Sequence, residues 1–390
     1  MTETASPSLQ LITDSGQLAA VCARLASADF LTVDTEFHRE RTYYAKLCLI
    51  QVASEEEAVL VDPLADGLDL SPLWRLLTET PVLKVMHACR QDMEIVYQHT
   101  GKLITPLFDS QLAAQLCGFG ESPGYETLVN QLLKKSLDKS QQFTDWQRRP
   151  LSPRQLTYAQ ADVTFLRDVF RKMYERLVRD GRMEWVGELH REVSDLATYE
   201  IDPRQQWKRL RLRHAKPAML SVLREVAAWR EITAQQRNLP RQRILVDDAV
   251  LEISQQHPTT PEELMALRAM RGGLPSEWKD AILAAVRAGL ALPQDEWPKL
   301  PPRPTPMQAG QEDMADVLKL LLKTKARQAN LVPRLLATGD EIDALARGEH
   351  EGLACLSGWR AELFGTAALD FMQGKLTLRL DPVRKEPVWE

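Results

Sequence analysis

The apolar residues of this chain follow two periods, and the change between them divides it. Over the first third, short apolar runs alternate with brief polar turns, as strands do. Phe30, Leu31 and Val33 open a run at 29–36, a second fills 46–53, and a third at 58–61 stops at Asp62-Pro63. Three runs so close together predict an antiparallel meander. A fourth strand is expected at 83–86, ending beside His87. Helical spacing is present at 11–28, where Leu18, Val21 and Leu25 follow a capping Thr13-Asp14-Ser15, and again at 70–77 and 89–99. Residues 108–116 read as a strand end passing into a helix, and a glycine-rich loop separates them from a helix at 125–133. Ser152-Pro153 opens a long helix over 153–178. Strands first and helices after predict a mixed sheet flanked by helices, an α/β domain over residues 1–200.

From 217 onward the period is helical, with no convincing strand before about 376. Helices are expected at 217–234, 245–254, 261–267, 275–289, 309–329, 331–335 and 340–347. Residues 230–250 recur loosely at 322–342: a helix, an Asn-Leu turn, a proline, a basic residue and a second helix. Two all-α units follow from this echo, at 217–294 and 309–382, joined by a proline-rich hinge at 295–308. A basic linker at 201–216 precedes them, and a frayed tail at 383–390 closes the chain.

With 390 residues, 44% of them apolar, the chain is long enough for two or three folded domains. No stretch approaches the roughly 20 apolar residues of a membrane span, and the N-terminus lacks a secretory pattern. Cys22, Cys48, Cys89, Cys117 and Cys355 are dispersed, which points to a reducing compartment, the cytoplasm, and to no thiolate metal site. The net charge of −5 argues against a general polyanion binder, but it is uneven. Residues 1–200 carry 29 acids and 21 bases (−8), and residues 201–390 carry 25 acids and 28 bases (+3). Between 204 and 243 stand 11 Lys or Arg against Glu225 and Glu231, a place where a polyanion could lie.

The acids in the first half hold the candidate chemistry. Asp34 and Glu36 interrupt an apolar strand two residues apart, so both carboxylates leave one face, where they repel unless a cation lies between them. Asp92 follows His87 at the start of a helix. Tyr158 and Asp162 are four apart on the long helix, at the edge of its buried arc. Hard oxygen donors without cysteine or clustered histidine suit Mg²⁺ or Mn²⁺ rather than zinc. A four-carboxylate set can hold two such ions roughly 4 Å apart, an arrangement that serves phosphoryl hydrolysis. Tyr158, with an ordinary pKa near 10, suits water orientation first and proton transfer second.

Asp34-Thr-Glu36, His87-Ala-Cys-Arg-Gln-Asp92 and Tyr158-Ala-Gln-Ala-Asp162 resemble the three exonuclease motifs of the tyrosine-bearing branch of the DEDD superfamily. Phe37 after Glu36, and Phe108-Asp109-Ser110-Gln111 between the last two motifs, make the likeness to the ribonuclease D family close. The helical repeats resemble two copies of the HRDC domain, which RecQ-type helicases also carry. The resemblance spans about residues 12–375. It implies a ribonuclease-H-like fold and metal-dependent 3′→5′ hydrolysis of RNA to nucleoside 5′-monophosphates. It also implies trimming of the 3′ ends of transfer RNA precursors. Asp34, Glu36, Asp92 and Asp162 are then the metal ligands, and Tyr158 orients the water.

Around this set, Phe37 and Leu112 are candidates to wedge against the terminal base or sugar, and equally to fill core. His38 and Arg39 are candidates for the substrate backbone. Lys208, Arg209, Arg211 and Arg213 are candidates to follow an RNA strand, or else form a solvated linker. His87, Asp109 and Gln111 read as structural. A DNA 3′→5′ exonuclease would need the same carboxylates, and a non-catalytic nucleic-acid scaffold would need neither them nor the tyrosine. No obligate protein partner is evident, so a monomer is expected.

Overall fold

The computed structural model describes residues 10–212, 216–270, 272–300 and 305–390. Arg213 of the basic stretch lies outside them. Strands β1 (Gln10–Ile12), β2 (Phe30–His38), β3 (Lys46–Ala53), β4 (Ala58–Val61), β5 (Leu83–Met86) and β6 (Leu107–Asp109) form one mixed sheet of order β1-β4-β3-β2-β5-β6. β2, β3 and β4 are the expected antiparallel meander; β1 joins β4, and β5 joins β2 and β6, in parallel. The helix expected from residue 11 starts later. The Asp14 carboxylate accepts from the Gln17 amide at 2.8 Å and caps α1 (Ser15–Leu25), which leaves 10–12 free to pair as a strand.

Alternation along β2 decides what each face carries. Leu31 and Val33 pack with Ile50 and Val52 beneath α1, α2 (Ser71–Glu79) and α3 (Arg90–Thr100). Phe30, Thr32, Asp34 and Glu36 turn the other way. After α4 (Ser110–Leu116) and α5 (Tyr125–Leu128), that second face is covered by α6 (Pro153–Arg179), a 27-residue helix. Its start is built by Ser152, whose hydroxyl caps the Gln155 amide while the Gln155 side chain returns to the Ser152 amide, with Pro153 in the first turn. Thr32 Oγ1 donates to the Val163 carbonyl at 2.8 Å, which pins this helix to β2.

A short helix, α7 (Met183–His190), follows α6 and was not evident in the sequence. The first helical unit comprises α8 (Pro217–Arg237), α9 (Arg241–Ile244), α10 (Asp247–Gln256), α11 (Pro261–Ala266) and α12 (Ser276–Ala291). Trp207 and Leu210 are buried in its core, so the basic stretch is held by a 3₁₀ turn at Pro203–Arg209 rather than free. The second unit comprises α13 (Ala309–Gln328), α14 (Pro333–Leu336), α15 (Gly339–Arg347), α16 (Gly358–Arg360) and α17 (Thr366–Met372). The last two escaped the sequence reading. The expectation of a frayed end at 383–390 is corrected: β7 (Leu378–Asp381) pairs with β8 (Glu386–Trp389), and Trp389 packs edge-on to Phe371 at 5.5 Å.

The two units attach to the sheet domain by different physics. The second shares one apolar core with it, Leu318 and Leu321 joining Phe108, Leu116 and Phe170. Arg182 donates to the Leu116 and Ala329 carbonyls, both at 2.6 Å. Gly118, at φ +74°, lies so close to Asn330 that a Cβ would stand 2.4 Å from its Nδ2. The first unit docks through polar groups on the β2–β3 turn. Tyr43 donates to the buried Glu231, which Arg241 also pairs, and the Tyr44 amide donates to Asn238 Oδ1 at 3.0 Å. A pair of this kind resists opening, because losing one partner strands a charge.

Candidate active site

β2 pairs with β5 only from Phe30 to Thr32, and β5 ends at Met86 while β2 runs on to His38. A gap in the sheet opens beside Asp34. The turn that leaves β5 is drawn in by Asp109, whose carboxylate accepts from the Ala88 and Cys89 amides at 3.1 and 2.9 Å and also caps α4. Ala88 takes a left-handed φ of 54° there. This turn delivers Asp92, in the first turn of α3, to the gap. Asp109 is fully occupied and structural, as expected. His87 bonds Ser110 at 2.9 Å, and burial lowers its pKa to about 4, so it is neutral.

Asp34, Glu36 and Asp162 each offer a carboxylate oxygen, all within 4.8 Å of one another. Asp92 stands beside this trio, near enough to raise the pKa of Asp34, but its Oδ1 accepts a short hydrogen bond from Thr35 on the other face of β2. Burial pushes Glu36 up to about 9, with Asp162 and Asp92 adding repulsion. Burial also pushes Asp162 up to about 7, partly offset by Tyr158, and Asp92 up to about 7, partly offset by Thr35. Asp34 is raised well above the carboxylate range by burial and then by its three neighbours. Such a cluster keeps protons it would shed in water unless a cation replaces them. Oxygen donors at this spacing fit a hard divalent metal.

Tyr158 interacts with the Asp162 carboxylate, and its ring lies 6.1 Å from that of Trp146. Burial and the surrounding acids push its hydroxyl far above the ordinary range, so it holds its proton and serves as a donor. Tyr125 donates to the Asp162 carbonyl at 2.5 Å and fixes α6 at the position of the carboxylate. Neither Thr35 nor Tyr125 was evident from the sequence.

Beyond Glu36 a groove of about 630 Å³ runs between the end of β2 and the loop 142–147. A register shift between Glu36 and Phe37 bends the strand here. Phe37 and Leu112 are partly buried against the same core, and His38 is 3.8 Å from Glu40. Both terminal nitrogens of Arg39 pair with Glu94, at 2.7 and 2.6 Å, while the residue also lines this groove. Phe143, on the opposite wall, is 93% exposed. Its signal was available, a single aromatic in the polar run Lys139-Ser-Gln-Gln-Phe-Thr-Asp145.

Arg39 and Thr42 also line a second cavity, of about 420 Å³, between the sheet domain and the first helical unit. Arg209 enters this cavity and borders a further one with Arg211. Arg209, Arg211 and Lys208 are exposed.

Residues 9–178 match a family described as 3′-5′ exonuclease, and residues 219–286 match the HRDC domain. The ribonuclease D of Jannaschia sp. strain CCS1 is 44% identical over 381 residues, covering 94% of this chain and 96% of its own length. That of Sphingobium indicum is 46% identical over 372 residues, covering 94% and 95%. The crystal structure of Escherichia coli RNase D, an exoribonuclease involved in structured RNA processing, is similar with a TM-score of 0.76. Its identity is 29%, over 94% of this chain and 98% of that one. With its carboxylates gathered at the sheet gap and its helical units behind them, this chain belongs to the ribonuclease D family and is a 3′-5′ exoribonuclease.

Proposed function

We propose that this enzyme works by a two-metal mechanism on the 3′ ends of RNA, transfer RNA precursors among them. The convergence of Asp34, Glu36 and Asp162 within 4.8 Å is the observation that supports it. Two divalent cations, Mg²⁺ or Mn²⁺, would supply there the positive charge that activates a water and offsets the charge on the departing 3′ oxygen. In this reading Asp34, Glu36 and Asp162 hold one cation. Asp34 and Asp92 would hold the other, with Thr35 steadying the Asp92 carboxylate. Tyr158 keeps its proton and orients the attacking water.

The terminal nucleotides would lie in the groove between Phe37 and Phe143. An aromatic left almost wholly in water beside a polar site suits base stacking, which contributes about 1–3 kcal/mol per base. Phe143→Ala is expected to raise KM for an RNA oligomer about tenfold, with kcat changed far less; steady-state kinetics check this. The RNA backbone would continue past Arg39 into the cavity at the first helical unit. Arg209→Glu with Arg211→Glu is expected to weaken RNA binding and flatten its salt dependence by roughly one unit of slope per residue. Fluorescence anisotropy at several salt concentrations measures both.

Each helical unit folds back on its own sheet domain, in keeping with a monomer. All five cysteines are free and buried, in keeping with a reducing cytoplasm. The decisive experiment follows mononucleotide release from 3′-labelled precursor transfer RNA and a DNA strand of the same sequence, with Mg²⁺, Mn²⁺ or EDTA. Release from RNA that needs the metal is expected. Equal release from DNA, or release in EDTA, would refute the reading.

A further inference from the structure

Gln51, in the middle of β3, is completely buried, yet neither its Nε2 nor its Oε1 has a hydrogen-bond partner among the described residues. Its neighbours explain how unusual that is. Across the sheet it faces Leu60 on β4 and Asp34 on β2, and paired residues share a face. Leu49 and Ala53 stand two residues away on the same face of its own strand. Leu49, Leu60 and Ala159 of α6 form one apolar cluster there, and Ala53, Ala58 and Val163 another. Hydrocarbon packs against the amide from its own strand, β4 and α6, and the polar side chain paired directly across from it is that of Asp34, with Thr32 and Glu36 diagonal to it.

A buried amide without partners destabilises a fold, and an apolar residue of like shape would serve packing better. The position thus carries a cost that packing does not explain, and it lies directly across the sheet from one carboxylate of the acid trio. Cross-strand Cβ atoms are about 5 Å apart, a span a glutamine side chain covers by rotating its terminal torsions.

We propose that Gln51 is a positioning residue for the metal site: its Nε2 donates to the Asp34 carboxylate and holds it in the orientation that binds a divalent cation. The proposal rests on the metal-site reading given above. Supports of this kind behind a metal ligand typically govern affinity by about 10- to 100-fold.

The test uses the full chain, without RNA and with Mn²⁺ alone as probe. Gln51→Met keeps the length of the side chain and removes its polar atoms. The expected result is a pair of opposite signs. In EDTA the variant melts at or above the wild-type temperature, while its Mn²⁺ affinity, by calorimetry or by electron paramagnetic resonance of the free ion, falls at least tenfold. Wild-type Mn²⁺ affinity in this variant would overturn the proposal. So would a lower melting temperature in EDTA, which would mean that the amide serves the fold through a buried water. Asp34→Asn separates the two readings. Its binding is expected to be lost; if it too binds Mn²⁺ like the wild type, the carboxylate site itself is at fault and the proposal falls with it.

Discussion

Asp34→Asn is expected to lower kcat by about 10³-fold or more while raising the melting temperature of the metal-free protein. The first effect follows from charge. An amide has the shape of the carboxylate but cannot neutralise a cation, and metal stabilisation of the transition state amounts to several kcal/mol, each 1.36 kcal/mol being tenfold in rate. The second follows from crowding. Asp34 is half-buried among Asp92, Asp162 and Glu36, all of which raise its pKa. Asp34 keeps its proton in the empty fold at a cost that an amide does not carry, so the same change that abolishes turnover stabilises the empty fold, the usual trade at an active site. Single-turnover cleavage of labelled RNA, paired with melting curves in EDTA, reads both. A variant that is inactive because it is unfolded would melt lower, not higher.

Removing the metal should make stability fall as pH rises from about 4 to about 9. The carboxyls of Glu36 and Asp162 give up their protons near 4.5 and 3.8 in an unfolded chain but hold them to about 9 and about 7 in the fold. Between those limits the native state binds more protons than the unfolded one, so the slope of stability against pH is negative. A divalent cation displaces those protons and reverses the penalty, more strongly at pH 8 than at pH 6. At a hundredfold excess over its dissociation constant the cation adds about 2.7 kcal/mol, or roughly 5–10 °C for a domain of this size. Melting curves at pH 5, 6.5 and 8, with Mg²⁺ and with EDTA, measure the gap, which should widen with pH. A gap that is constant or narrows would show that the carboxylates are already ionised in the empty site.

Much of this site was legible because its chemistry breaks local rules. Asp34 and Glu36 stand where a strand should stay apolar, and Asp162 lies at the edge of a helix's buried arc. Residues that work by contact with distant ones left no such trace. Thr35 looks like an ordinary strand threonine until α3 brings Asp92 against it. Arg39 pairs through both ends of its guanidinium with Glu94, 55 residues on, a contact its own neighbourhood does not signal. The helix ending the second unit was missed because its apolar face at Trp359 and Phe364 is defined by the core it enters: Trp359 stacks on Trp185 at 4.7 Å and donates to Glu188 at 2.7 Å.

By itself the amino-acid order determined the strands of the meander, the long helix behind Ser152-Pro153, the boundary where the period changes, and the identities of the acids. Each of these depends on neighbours within a few residues, through alternation, capping and helical spacing. Only the tertiary structure decided that three acids meet and the fourth stands aside, that a cavity lies between the sheet domain and the first helical unit, and that the second unit is welded to the sheet domain by apolar packing. Those outcomes depend on where β5 stops, how Asp109 draws in the turn behind it, and which surfaces of separate helices fit one another. These are contacts over a hundred or more residues in some cases, and no local pattern encodes them.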